Sequence, residues 1–161
     1  MPAPLARTSA EAHLYLELHG CDCGEQTFEP ESAVVVLEDG ELGQRYTYAC
    51  PRCGKQHEVT FRLPPEPAPP GPVFTYGGPE PSELLDAAEW LAVADAYASQ
   101  APADVDALAP GDARRARALL TRAAAAVDEA LKFEESDRLR AVRDTYAKLA
   151  AQSSNIIERS Q

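Results

Sequence analysis

Four cysteines in two close pairs constrain this chain more than any other feature. Cys21-Asp22-Cys23-Gly24 and Cys50-Pro51-Arg52-Cys53-Gly54 stand 26 residues apart, and the 161 residues hold no other cysteine. Two thiolates on one tight turn supply half of a tetrahedral site, and a second such turn completes it with bonds of about 2.3 Å. The glycine that ends each turn lets the chain leave at positive φ without a Cβ clash. Four thiolates close the coordination shell, whereas a catalytic metal keeps one position open. The expected ligands are therefore Cys21, Cys23, Cys50 and Cys53 around a structural zinc ion, with iron as the alternative that the uneven spacing leaves open. His19, two residues before Cys21, and His57, four after Cys53, are the candidate replacements for a cysteine.

The residues around the cysteines read as strands. Leu14, Leu16 and Leu18 alternate in His13–Leu18, Val34-Val35-Val36-Leu37 is β-branched, Arg45–Tyr48 alternates, and Val59, Phe61 and Leu63 alternate again. Asp39-Gly40 marks a turn. The pattern predicts a meander of four short strands with the cysteines at strand ends. Such a sheet is too small to hold alone, so a metal would supply much of its folding energy.

With C-x-C-G and C-P-x-C-G knuckles on a small antiparallel sheet, residues ~12–63 resemble a zinc ribbon. The second knuckle follows the ribbon pattern. The first is one residue shorter than the usual two-residue spacing. The CDCG…CPRCG…EPSELLDAAEWL run, in an alanine- and proline-rich chain, also resembles uncharacterised actinobacterial zinc-ribbon proteins. That likeness carries no activity with it.

Other cysteine chemistry fits less well. Disulfides are disfavoured in a cytoplasmic chain. Cys50-Pro-Arg-Cys53 resembles a thioredoxin-like dithiol, but that motif opens a helix in a βαβ setting, and none is visible. Zinc deaminases need an H-x-E before P-C-x-x-C, and no such motif precedes Cys50. No nucleophile elbow, phosphate loop or H-E-x-x-H occurs. The expectation is a protein that is not an enzyme.

Proline and charge divide the chain. Eight of the 14 prolines lie between Pro64 and Pro81. That stretch predicts a semi-rigid polyproline II linker rather than an SH3-type ligand. Val73, Phe74 and Tyr76 interrupt it and are expected to pack on a flanking unit. Residues 1–63 carry a net charge of −5, residues 64–110 carry −8 with no base at all, and residues 111–161 carry +2.

The second half predicts helices. Ser82 is read as the cap of a helix to about Ser99. Leu84, Leu85, Ala88, Leu91 and Ala92 form one of its faces, and Trp90, Val93, Ala94 and Tyr97 the other. Pro102–Leu108 reads as a short helical turn. Pro110 starts a helix to about Phe133 with a stripe of Ala116, Leu119, Leu120, Ala123, Val127, Ala130 and Leu131. Ser136 caps a third, to about Ala151, and Gln152–Gln161 is expected to fray. The fold class is thus α+β: a small antiparallel zinc-ribbon sheet over 1–63, a Pro-rich linker over 64–81, a three-helix alanine-rich bundle over 82–151, and a tail over 152–161.

The net charge of −11 speaks against a dedicated nucleic-acid binder, since neutralising phosphates needs a basic face. It fits a basic protein partner drawn in by long-range attraction. A bacterial toxin-immunity protein is one concrete form of such a module. The candidate partner surface is Glu80, Glu83, Asp86, Glu89, Asp104 and Asp106, with Phe74 and Tyr76 as apolar anchors. The alternative is a nucleic-acid-associated ribbon using Arg45, Arg52, Lys55 and Arg62, with Tyr46 and Tyr48 as stacking platforms. No apolar run approaches the ~20 residues of a membrane span. Residues 1–20 lack the basic start and apolar core of a signal peptide, so a cytoplasmic location is expected.

Overall fold

The computed structural model describes residues 2–67, 71, 73–102 and 104–160. Its elements are α1 (Ser9–His19), β1 (Glu31–Val36), β2 (Leu42–Ala49), β3 (Gln56–Arg62), α2 (Ala87–Gln100), α3 (Pro110–Leu131) and α4 (Asp137–Arg159). The protein is α+β, and its described residues form a three-stranded sheet and four helices rather than four strands and three helices. Its chain divides into two units. Unit 1 comprises residues 1–70 and 82–85; unit 2 comprises residues 71–81 and 86–161.

The largest correction falls on His13–Leu18, which is helical. Thr8 caps α1 by accepting the Glu11 N–H, and the Gly20 N–H closes it on the Leu16 carbonyl. The resulting 11-residue helix buries Ala12, Leu14 and Leu16 and leaves Leu18 partly in solvent. The alternating leucines suggested a strand, but the hydrogen bonds at both ends decide for a helix. The edge of His13 meets Tyr46, and Tyr15 meets Phe61, which is fully buried.

The sheet is antiparallel in the order β1-β2-β3. Asp39-Gly40 forms the expected turn between β1 and β2, with the Gly40 N–H on the Leu37 carbonyl. At the far edge, β3 is partly covered, because Leu5 bridges to Arg62 and the Ala6 N–H bonds to the Arg62 carbonyl.

Unit 1 also encloses an ionic cluster. The Glu11 carboxylate is fully buried and accepts the Arg7 backbone N–H at 2.9 Å and its Nε at 3.0 Å. The Ser82 hydroxyl donates to the same carboxylate, while its oxygen accepts the Leu84 and Leu85 N–H groups. Ser82 therefore does not cap α2, contrary to the expectation from sequence. Asp86 does, in a reciprocal pair with Glu89. A buried carboxylate is tolerated only when paired and hydrogen-bonded, and this one is.

In unit 2, α3 packs against both α2 and α4. Ala116, Leu120, Ala123, Val127 and Ala130 of its expected stripe are buried, as are Ala124, Ala125 and Ala126. Runs of alanine let neighbouring helices approach on several sides, because the methyl group fills little space. On α2 the buried face is Trp90, Val93 and Ala94; the other expected face is not buried, since Ala88 and Ala92 are exposed and Leu84 and Leu85 precede the helix in unit 1. Residues 104–108 form a turn rather than helix, with Val105 against Ala116, Leu120 and Ala150. Ser136 caps α4 as expected. The helix does not stop at Ala151. It runs to Arg159, and Ile156 and Ile157 pack on Ala113.

The described residues of the expected linker, 64–67, 71 and 73–81, carry neither helix nor strand. Residues 68–70 and 72 of it lie outside the described residues, as does Ala103 of the expected helical turn. No helix among the described residues is long and apolar enough to cross a membrane.

Candidate metal centre

Each knuckle is built by the same pair of backbone bonds. The Cys21 N–H bonds to the Glu25 carbonyl and the Gly24 N–H to the Cys21 carbonyl, both at 2.9 Å. The Cys50 N–H bonds to the Lys55 carbonyl and the Gly54 N–H to the Cys50 carbonyl, also at 2.9 Å. Gly24 has φ 95 and Gly54 φ 77, the left-handed region that favours glycine. The missing residue of the first knuckle is absorbed inside the turn: its inner bond spans three residues where the second spans four. Both ends are otherwise alike, so the short spacing does not prevent a matching pair of ligand turns.

Secondary structure delivers the knuckles. The first follows the Gly20 end of α1, not a strand as expected, and the second is the loop between β2 and β3. They are tied across their surfaces. Lys55 Nζ lies 2.6 Å from the Asp22 carboxylate, and the Arg52 guanidinium donates to the Cys23 carbonyl at 3.3 Å. Each bracing residue lies inside or beside a knuckle, but the spacing of the cysteines gives no sign of the pairing.

The four sulfurs lie within 4.8 Å of one another. Cys21 approaches Cys53 at 3.4 Å and Cys23 approaches Cys50 at 3.5 Å, so the near contacts cross between knuckles. A regular tetrahedron with metal–sulfur bonds of about 2.3 Å has edges of about 3.8 Å. The observed cluster brackets that size. It can hold a metal ion, and among the described residues it is the one His/Cys/Asp/Glu grouping that can. His19 is stacked on Tyr15 at 4.1 Å and His57 on Tyr48 at 4.9 Å, and neither joins the sulfurs.

Electrostatics give the same answer. At Cys50, burial opposes ionisation, but the Cys53 and Arg52 backbone N–H groups and the Cys23 and Cys53 thiols outweigh it and hold the thiol down to about 6. At Cys21 the Cys23 N–H favours the thiolate, yet burial and the Cys53 sulfur push the thiol up. Cys23 behaves likewise, favoured by the Glu25 N–H and pushed up by burial and Cys50. On balance the contacts between sulfurs favour the thiolate at Cys50 and oppose it at Cys21 and Cys23. Only a cation between them lets all four be thiolates.

The expected partner surface is dispersed. Glu83, in unit 1, is exposed and lies 3.5 Å from Arg62. In unit 2, Asp86 and Glu89 are engaged in capping α2, Glu80 is exposed, and exposed Asp104 accepts the Asp106 N–H. Phe74 is half-buried, with the Arg122 guanidinium 4.8 Å above its ring. Tyr76 is 1% exposed, between Phe74 and Trp90, so it is a core residue of unit 2 and not a surface anchor. Of the alternative nucleic-acid set, Arg52, Lys55 and Arg62 are bonded within unit 1, and Tyr46 and Tyr48 are buried. Compared with family models, with curated proteins and with solved structures, the chain matches none of them.

Proposed function

We propose that the chain is a zinc-stabilised, non-enzymatic protein-interaction module of the cytoplasm, a zinc ribbon joined to a helical unit, that binds a basic protein partner in the manner of a toxin-immunity inhibitor. The observation that carries the metal part is the cluster of four sulfurs on two matched knuckles, the number of donors that fills a tetrahedral shell. Soft thiolates in a tetrahedron favour zinc, with iron as the competitor. The partner part is supported by the net charge of −11 and by acids at the surface without a matching number of bases. The nucleic-acid reading has less support, since most of its bases and both of its tyrosines are engaged inside unit 1.

The metal-to-protein ratio of freshly purified protein, read beside its absorption spectrum, tests the first part. One equivalent of zinc in a colourless protein, lost in Cys50→Ser, is expected. A visible iron–thiolate band, or no metal, overturns the zinc assignment. The partner part is tested by salt-dependent binding: a basic protein retained at low salt supports it, and an oligonucleotide retained in its place overturns it.

A further inference from the structure

Among the described residues, the sheet leaves one side open. The Leu37 N–H bonds to the Glu41 carbonyl, and the register runs from there as Val36–Leu42, Val35–Gly43 and Val34–Gln44. Hydrogen-bonded and non-hydrogen-bonded pairs alternate in an antiparallel ladder. Val35 and Ala33 therefore turn their N–H and C=O groups toward β2, while Ser32, Val34 and Val36 turn theirs outward. No described strand takes up those outward groups, since β1 ends the sheet. An uncovered edge of this kind is a template for another strand.

The side chains mark the same place. Val34 is 62% exposed, Val36 72% and Leu42 52%. The register puts all three on the face that carries Tyr46, where α1 covers only the other end. The apolar strip continues into a cleft of about 670 Å³ lined by Ser32, Leu42, Gln44, Tyr46 and Pro64. Natural edges are usually blunted by lysine, proline or a bulge. Within Glu31–Val36 none of these occurs.

Charge selects the occupant. Glu29 and Glu31 stand at one end of the edge and Glu38, Asp39 and Glu41 at the other, all exposed. Residues 29–41 contain no base, and none of the five carboxylates forms an ion pair among the described residues. A second copy pairing antiparallel would bring the end of one edge with Glu29 and Glu31 beside the end of the other with Glu38 and Glu41, a like-charge contact that opposes the pairing. A strand with apolar residues at alternate positions and bases at both ends meets every demand at once.

We infer that β1 is a docking edge for an extended segment of a basic protein, apolar in alternation and flanked by lysine or arginine, which adds to the sheet as a fourth strand. The inference rests on the reading of the chain as a module for a basic partner, and names where that partner binds. Backbone bonds to Ser32, Val34 and Val36 supply the common affinity. The Val34–Val36–Leu42 strip and the acids at the two ends supply the selection.

The test uses the full, metal-loaded chain and three labelled peptides: Lys-Lys-Val-Thr-Val-Thr-Val-Lys-Lys, the same core flanked by glutamates, and a Lys/Ser peptide of equal charge without valines. Val34→Pro removes an outward N–H and leaves the β2 ladder intact, a position at which an edge strand tolerates proline. Glu31→Lys with Glu38→Lys reverses the end charges at exposed sites. The lysine-flanked valine peptide is expected to bind wild type at least about tenfold more tightly than either other peptide. It should lose that advantage in Val34→Pro, and the double variant should prefer the glutamate-flanked form. Binding that survives Val34→Pro, or that the Lys/Ser peptide matches, overturns the edge while the basic-partner reading stands. No binding of either basic peptide at low salt overturns both. Dimerisation of wild type that Val34→Pro abolishes assigns the edge to a second copy and overturns the proposal.

Discussion

Unit 1 and unit 2 differ in what holds them. Unit 2 is a helical assembly with an apolar interior that includes Trp90 and Val93, the alanines of α3, and Ile156 and Ile157. Unit 1 has a three-stranded sheet, one short helix, a buried ionic cluster and four sulfurs that would repel one another as thiolates. Its β1 strand is exposed along nearly its whole length. A sheet of that size gains little from burial, so specific bonds have to replace bulk. One chain thus combines two strategies: unit 2 rests on apolar packing spread over three helices, while unit 1 adds a few specific polar bonds to a small core.

The contrast can be broken most sharply by removing metal. On the zinc reading proposed above, chelation, or Cys50→Ser, should unfold unit 1, because structural zinc contributes on the order of 10 kcal/mol in small domains. Amide resonances of β1–β3 should collapse while those of α3 and α4 stay dispersed. Simultaneous loss of both sets would end the contrast. Next comes Arg7→Met, which strands the Glu11 charge in unit 1. A broken buried pair costs about 3–5 kcal/mol, and replacing Glu11 by Gln in the same chain should restore part of it. Chemical denaturation followed at Tyr46 and Phe61 resonances measures both.

Unit 2 should respond more gently. Ile157→Ala removes a buried side chain from the last turns of α4 and should cost about 2–4 kcal/mol, read as a lower midpoint of helix unfolding. An unchanged midpoint would mean that residues 152–159 contribute nothing to the unit. The smallest effect is alkaline. Burial, helped by Tyr97, pushes the Tyr76 phenol well above its ordinary value near 10, and Arg122 offsets this only in part. Above pH 10 the unfolded chain releases that proton while the folded one keeps it. Stability of unit 2 should therefore fall with rising pH, by at most about 1.4 kcal/mol per pH unit, and Tyr76→Phe should flatten the slope.

Legibility followed the range of the signal. The knuckles, the Pro110 start of α3 and the Ser136 cap of α4 are local motifs, and the sequence reading found each of them. His13–Leu18 looks like a strand only because its leucines alternate. The Thr8-x-x-Glu11 capping pattern and Gly20 were the local signals that favoured a helix. Asp86-x-x-Glu89 similarly outweighs Ser82 as a helix start. The end of α4 was lost in the polar run Ser153-Ser154-Asn155. Ser153 and Ser154 satisfy their hydroxyls on the carbonyls of Leu149 and Ala150, so the helix continues to two buried isoleucines. The Glu11–Ser82 bond joins residues 71 apart, and no windowed reading of a sequence reaches that far.

That bond has a consequence during synthesis. Unit 1 needs residues 82–85, which the chain supplies only after it has given residues 71–81 to unit 2. As the polypeptide leaves the ribosome at about 5–20 residues per second, the sheet and both knuckles emerge first. For the next seconds Glu11 has Arg7 but not Ser82, and Leu84 and Leu85 have yet to arrive. A nascent chain halted before residue 82 therefore carries all four thiols but an unfinished interior.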